Sequence, residues 1–199
     1  MKAKKEKNKT IDFDDFASKY ENYLSDSFGK IDNNVSYYHK AKIKILKKEL
    51  NIAPKKILDF GCGIGLMLGH LKDNFIDSQL YAYDDSLKSL DYVKSKYPDI
   101  NCINNLNHNL KFDLIFISNV IHHVKSFERE QLFNKIYNML NDQGKLFIFE
   151  HNPYNPITLK VVANCEFDLN AELIKKNDLI KVCNKSNFII EKYGYIHFF

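Results

Sequence analysis

Apolar side chains in residues 11–50 recur at three- and four-residue steps: Phe13, Phe16, Tyr20, Tyr23 and Leu24, then Ile43, Leu46 and Leu50. That period puts each set on one face of a helix, and the break at residues 29–34 predicts two helices. Beyond residue 50 short apolar runs alternate with amphipathic stretches. The pattern predicts strand 57–60, helix 64–73, strand 79–84, helix 86–96, strands 101–104 and 112–118, helix 126–140 and strand 145–150. Pro98 and Gly144 stand where helices give way to strands. Segment 151–170 lacks periodicity and carries Pro153 and Pro156, so it reads as an insertion over the carboxyl edge of the sheet. Helix 171–187 and a strand-like stretch at 188–199 complete the series. Such alternation predicts one α/β domain, a doubly wound and mostly parallel sheet with helices on both faces.

The predicted third and fourth strands are separated by only about eight residues, short of the dozen or so a helical crossover needs. In an open α/β sheet the strand order reverses beside the first strand, and ligands bind there, outside the carboxyl ends. A helix-free link would run along that rim. The predicted organisation is a basic, disordered tail at 1–10 and a single domain at 11–199. Within the domain, 11–50 forms a helical cover, 51–150 the core, 151–170 the insertion and 171–199 the closing helix and strand.

Composition narrows the partners. The net charge of +4 resides in the tail, since residues 1–9 hold five lysines and one glutamate. The rest of the chain is near neutral, and its one arginine, Arg129, is too little for guanidinium-based phosphate or base recognition, so no nucleic-acid partner is expected. No apolar run reaches the roughly 18 residues of a bilayer span, and no apolar stretch follows the first lysines, which predicts no membrane association and a cytoplasmic protein. Four dispersed cysteines (62, 102, 165 and 183) fit reduced thiols rather than a zinc or disulfide framework.

The chemistry concentrates at residues 57–65, Ile-Leu-Asp-Phe-Gly-Cys-Gly-Ile-Gly, where an apolar strand opens into three alternate glycines, with Asp84 closing the next strand. Alternate glycines let the backbone turn sharply and approach a ligand, and an acid ending the second strand can accept ribose hydroxyls. The dinucleotide fingerprint G-x-G-x-x-G fails in register, because its third glycine would fall on Leu66 or Leu68. The pattern present, acid-x-Gly-x-Gly-x-Gly, resembles motif I of the class I S-adenosylmethionine-dependent methyltransferases. A second match follows the fourth strand, where Asn119-Val120-Ile121-His122-His123 is similar to motif IV of small-molecule, ubiquinone-biosynthesis-like members. The resemblance spans 57–150, and more loosely 11–199. It implies a Rossmann-like fold, an N-terminal cover including Tyr37–Lys40, and S-adenosylmethionine as cofactor. It also implies cofactor contacts from Asp59, Gly61, Cys62, Gly63, Gly65, Asp84, Asp85, Asn105, Leu106 and Asn119. Asn104 to Leu106 stand where relatives carry an acid or amide for the adenine. Relatives continue into a further antiparallel edge strand and this sequence stops before one, as either a trimmed fold or a fragment; an exposed apolar edge would invite pairing with a second copy.

Candidate catalytic groups are His122, His123, Glu150 and His151. Histidine titrates near neutrality and suits a general base. Successive residues entering a helix diverge by about 100°, so at most one histidine of the 122–123 pair can face the substrate; the alternative is that one points into the core and the other packs against the first helices. No metal is expected, because no acidic cluster accompanies the pair in the sequence. The run Glu150-His151-Asn152-Pro153-Tyr154 reads either as a substrate wall or as a turn capped by its own asparagines. The resemblance implies methyl transfer to an oxygen or nitrogen of a small-molecule acceptor, of the kind found in bacterial sugar or secondary-metabolite biosynthesis. A cofactor-binding protein without turnover and an RNA methyltransferase are the alternatives.

Overall fold

A computed structural model describes residues 35–106, 109–165 and 167–196. The expected tail, the first of the two leading helices and Tyr20 lie outside the described residues. Helix α1 (Val35–Glu49) leads into strand β1 (Lys56–Phe60), helix α2 (Leu66–Asn74), β2 (Gln79–Tyr83), α3 (Leu87–Lys96), β3 (Asn101–Ile103) and β4 (Phe112–Ser118). A 3-10 turn at Ile121–His123, α4 (Arg129–Asn138), β5 (Leu140–Phe149), α5 (Pro156–Asn164) and α6 (Lys176–Lys185) complete the order. All strand pairs are parallel and the sheet order is β3-β2-β1-β4-β5.

Side-chain alternation along the strands builds a core on each face. Ile57, Leu80, Ala82, Leu114 and Phe116 meet Ile43 and Leu46 of α1, Leu68 and Leu71 of α2, and Leu90 and Val93 of α3. Leu58, Phe60, Ile115 and Ile117 meet Phe133 and Ile136 of α4 and Cys183 of α6 on the other face. Phe112 joins this second cluster although its parity places it with 114 and 116. The pairing with β5 is irregular there, jumping from Phe112↔Leu140 to Leu114↔Lys145, so residues 141–144 bulge opposite the single residue Asp113. Gly144 sits inside that bulge rather than ahead of the strand: a Cβ would lie 2.8 Å from the Phe112 carbonyl oxygen.

The described residues of the link from β3 to β4 hold no helix, in keeping with its length. Its eight residues reach about 26 Å when extended, enough to pass β2 and β1, whose steps are about 4.8 Å each. Two differences from the expected elements have local causes. Residues 156–164 of the insertion form α5, started by Pro156 and by Asn155, whose side chain accepts the Ile157 and Thr158 N–H groups. Residues 188–196 form no strand. The Phe188 N–H closes α6 on the Cys183 carbonyl, Asn187 takes the left-handed conformation (φ 63°), and Glu191 and Lys192 are tied by side chains to Lys145 and Glu49. No helix among the described residues is long and apolar enough to cross a membrane.

Two turns at the carboxyl edge approach so closely that Gly61 is obligatory. It adopts φ 73°, and an added Cβ would stand 2.4 Å from Val120 Cγ2. Gly61→Ala is expected to destabilise the protein by about 2–4 kcal/mol in urea unfolding, combining overpacking with left-handed strain. Measured against Val120→Ala alone, the double variant should retain only the backbone share, about 1–2 kcal/mol.

Candidate active site

The order β3-β2-β1-β4-β5 places the switch point between β1 and β4, and the singled-out residues gather at their carboxyl ends. Gly61, Gly63 and Gly65 all have positive φ (73°, 52° and 78°), coiling the turn between β1 and α2. The Asp84 carboxylate fixes this turn, accepting the Gly63 N–H at 2.8 Å and the Ser86 N–H at 2.9 Å. Nothing lies within 4 Å of a Cβ added at Gly63, so the turn borders open space. Beneath it Asp59 is 2% exposed, and its Oδ2 is buried without a hydrogen-bond partner among the described residues. Burial, then repulsion from Asp84, pushes the Asp59 carboxyl up to about 7, with Lys42 opposing. An orphaned buried carboxylate oxygen is costly unless a donor arrives. A ligand ammonium beside Asp59 and ribose hydroxyls beside Asp84 fit these residues.

On the other side of the switch point, Asn119 ends β4 in the left-handed conformation (φ 58°) and is exposed on the rim. That turn delivers the histidines. Glu150, next after β5, accepts the Val120 and Ile121 N–H groups at 2.8 and 2.6 Å through Oε1, while Oε2 lies 2.6 Å from His122 Nδ1. His122 is 1% exposed. Its Nε2 lies 3.3 Å from Asp168 Oδ1, and His123 Nε2 stands 3.4 Å from the same oxygen. The His123 and His151 rings lie 4.1 and 5.0 Å from that of His122.

The two acids divide the histidines by charge. Burial pulls His122 down, but Asp168 and Glu150 outweigh it and raise its pKa to about 9, so it is an imidazolium at neutral pH. Burial, then the His122 charge, lowers His123 to about 4 and shifts His151 downward as well. Glu150 and Asp168 are both held below their ordinary values by His122 against the opposing effect of burial. His122 therefore has no free lone pair for a substrate proton, whereas His123 and His151 are neutral.

Of the expected catalytic residues, all four converge. His122 is packed and His123 partly exposed, with Asp168 beside both; Glu150 and Asp168 also supply the acidic company that the linear sequence does not display. Asp168 reaches them because residue 172 is anchored: the Glu172 N–H donates to the His122 carbonyl at 2.7 Å, and Arg129 donates to the Val124 and Glu172 carbonyls. Lys42 was equally invisible in a lysine-rich helix. Its Nζ donates to Ser118 Oγ at 2.6 Å and lies 5.7 Å from the Phe149 ring centroid, and burial lowers it to about 8. The flanking residues divide. Cys62 is buried, with burial pushing its thiol up; Asp85 accepts the Tyr83 hydroxyl at 2.5 Å; Asn105 is exposed and Leu106 packs against the second core. Of the α1 residues, Tyr37 is exposed and His39 packs against His70, at 5.3 Å between rings. Asn152 and Asn155 are used in local turns, accepting the Tyr154 N–H and the first N–H groups of α5, which is the capped-turn form of that run.

Known proteins share this architecture. The chain is 25% identical over 195 residues to a malonyl-[acyl-carrier protein] O-methyltransferase of Ilyobacter polytropus, across 89% of this chain and 68% of that protein. It is 25% identical over 154 residues to a histidine protein methyltransferase 1 homolog of Dictyostelium discoideum, across 71% of this chain but only 45% of that protein. The fold matches that of magnesium protoporphyrin IX methyltransferase from Synechocystis PCC 6803, with a TM-score of 0.65, 16% identity, and 94% of this chain and 91% of that chain covered. The family model of the methyltransferase domain matches residues 33–191, and the chain belongs to that family.

Proposed function

We propose that this protein transfers the methyl group of S-adenosylmethionine to an oxygen or nitrogen of a small-molecule acceptor. The observation that carries the reading is the orphaned Asp59 oxygen under a left-handed glycine turn, with Asp84 beside it and neutral histidines across the switch point. Asp59 receives the cofactor's ammonium and Asp84 its ribose. Gly61, Cys62, Gly63 and Gly65 supply the cradle, Asp85 flanks the ribose side, Asn105 and Leu106 border the adenine, and Asn119 stands at the β4 rim. When bound, the cofactor supplies an activated methyl carbon, so the protein's work is alignment and exclusion of water. His123 or His151 takes the acceptor's proton where the acceptor arrives protonated, while the imidazolium of His122 holds them in place. The names of relatives cover a malonyl group on an acyl-carrier protein, a protein histidine and the small molecule (S)-coclaurine, with oxygen and nitrogen both methylated. The run Glu150-His151-Asn152-Pro153 resembles that of small-molecule methyltransferases of bacterial sugar and secondary-metabolite biosynthesis, which points to those acceptor classes.

Asp84→Ala removes two charge-assisted bonds at about 1.5–3 kcal/mol each, so S-adenosylhomocysteine binding measured by calorimetry should weaken by about 100-fold or more. Gly63→Val fills space the fold leaves open and should abolish binding while the thermal transition stays cooperative. Unchanged affinity in both variants would overturn the cofactor assignment.

Asp59 gives a pH dependence of definite sign. Its raised pKa means the ligand-free fold holds the proton more tightly than an unfolded chain, a contribution present at low pH and lost as pH rises through about 7. The ammonium requires the ionised carboxylate, so S-adenosylhomocysteine affinity should fall up to about tenfold per pH unit below 7. Asp59→Asn should flatten that profile.

A further inference from the structure

We propose that His122, His123 and Asp168 form a binding site for a tetrahedral divalent metal of the zinc class. Among the described residues, His122 Nε2, His123 Nε2 and Asp168 Oδ1 lie within 4.8 Å of one another. The two nitrogen-to-oxygen separations are 3.3 and 3.4 Å. Those separations are long for charge-assisted hydrogen bonds, which run about 2.7–2.9 Å. They match the edge of a tetrahedron around zinc: ligand bonds of about 2.0–2.1 Å subtend an edge of about 3.3–3.4 Å. An octahedral site with the same bonds has adjacent ligands about 3.0 Å apart.

The surroundings have the form of a built site. Glu150 lies 2.6 Å from the other nitrogen of His122, the carboxylate–histidine pairing that fixes the ring and directs Nε2 to a metal. Glu150 is itself held by the Val120 and Ile121 N–H groups, so the orientation is set before any metal arrives. Asp168 is positioned from the far side by the Glu172 N–H on the His122 carbonyl. His122 Nε2 presents an N–H to Asp168 or, with the metal in the proton's place, a lone pair. Three protein ligands leave one tetrahedral position open, the arrangement of catalytic rather than structural zinc. That position would orient an acceptor oxygen or nitrogen, a role that rests on the methyl-transfer reading; the binding itself does not.

Calorimetric titration of the full, chelator-treated chain with Zn2+ tests the proposal, with Co2+ as a spectroscopic probe. One saturable site per chain is expected, with intense visible bands of tetrahedral Co2+. Asp168→Asn and His123→Ala should each weaken Zn2+ binding by more than about 100-fold, and Glu150→Gln by about 10–100-fold. His39→Gln, in the separate His39–His70 pair, should change nothing. S-adenosylhomocysteine binding, followed in parallel, reports whether each variant is folded and tests the cofactor reading separately. Absence of saturable Zn2+ binding by the wild-type chain at 100-fold excess overturns the metal site. So does a weak, six-coordinate Co2+ spectrum, or affinity unchanged in the Asp168, His123 and Glu150 variants. Zinc binding without S-adenosylhomocysteine binding would sink the methyl-transfer reading and leave the metal site standing.

Discussion

The carboxylate of Glu150 is the constraint on which the second half of the site depends. It closes β5 against the turn after β4, accepting two backbone N–H groups with one oxygen and facing His122 Nδ1 with the other. Its side chain is 7% exposed, where an unpartnered carboxylate is strongly disfavoured. Each partner therefore does more than hold the acid: it is itself fixed by the acid's need. The turn cannot tilt without taking N–H donors from Glu150, and His122 cannot rotate without losing its contacts to both Glu150 and Asp168. Preorganisation here comes from a buried charge that has one good arrangement.

The cofactor-side half is organised by the opposite device. At Asp59 a buried oxygen is left without a partner, and the carboxyl responds by holding its proton up to about pH 7. At one half of the switch point the buried acid is held by three donors; at the other a buried carboxylate oxygen has no partner among the described residues. Lys42 stands between them, attracted by both Glu150 and Asp59 yet lowered to about 8 by burial. Because α1 carries it, the packing of Ile43 and Leu46 into the first core sets how far that charge reaches.

How much of this could be read from the chain follows from the range of each interaction. The strands and the glycine turn were legible because period and left-handed backbone are local properties; β1, β2 and β4 fall within a residue or so of their predicted bounds. Residues 188–196 show where local reading ends. Alternating Phe188 and Ile190 look like strand, but a strand needs a ladder partner and the segment holds on through side chains instead. His122, His123, Glu150 and His151 were visible as residue types at strand ends. Their charge states were not, since these depend on Asp168, which is 46 residues from His122 and sits in a stretch without periodicity. Three backbone contacts from Arg129 and Glu172 deliver it, and backbone contacts leave no mark on composition.

That delivery also determines what the site can recognise. Arg129 is the only arginine of the chain, and it is buried, with its guanidinium committed to two carbonyls and to Glu172. It holds the insertion onto the β4 turn and is not presented to an acceptor. Around His123 and His151, Glu150 and Asp168 are ionised and His122 is the one charged imidazole, so the cluster carries a net charge near −1. Lys42 is the nearby cation, and it is already engaged with Ser118. A polyphosphate backbone would meet like charge here and no guanidinium fork. A neutral or cationic group would meet matching charge, and the same negative balance suits the divalent ion proposed at His122, His123 and Asp168.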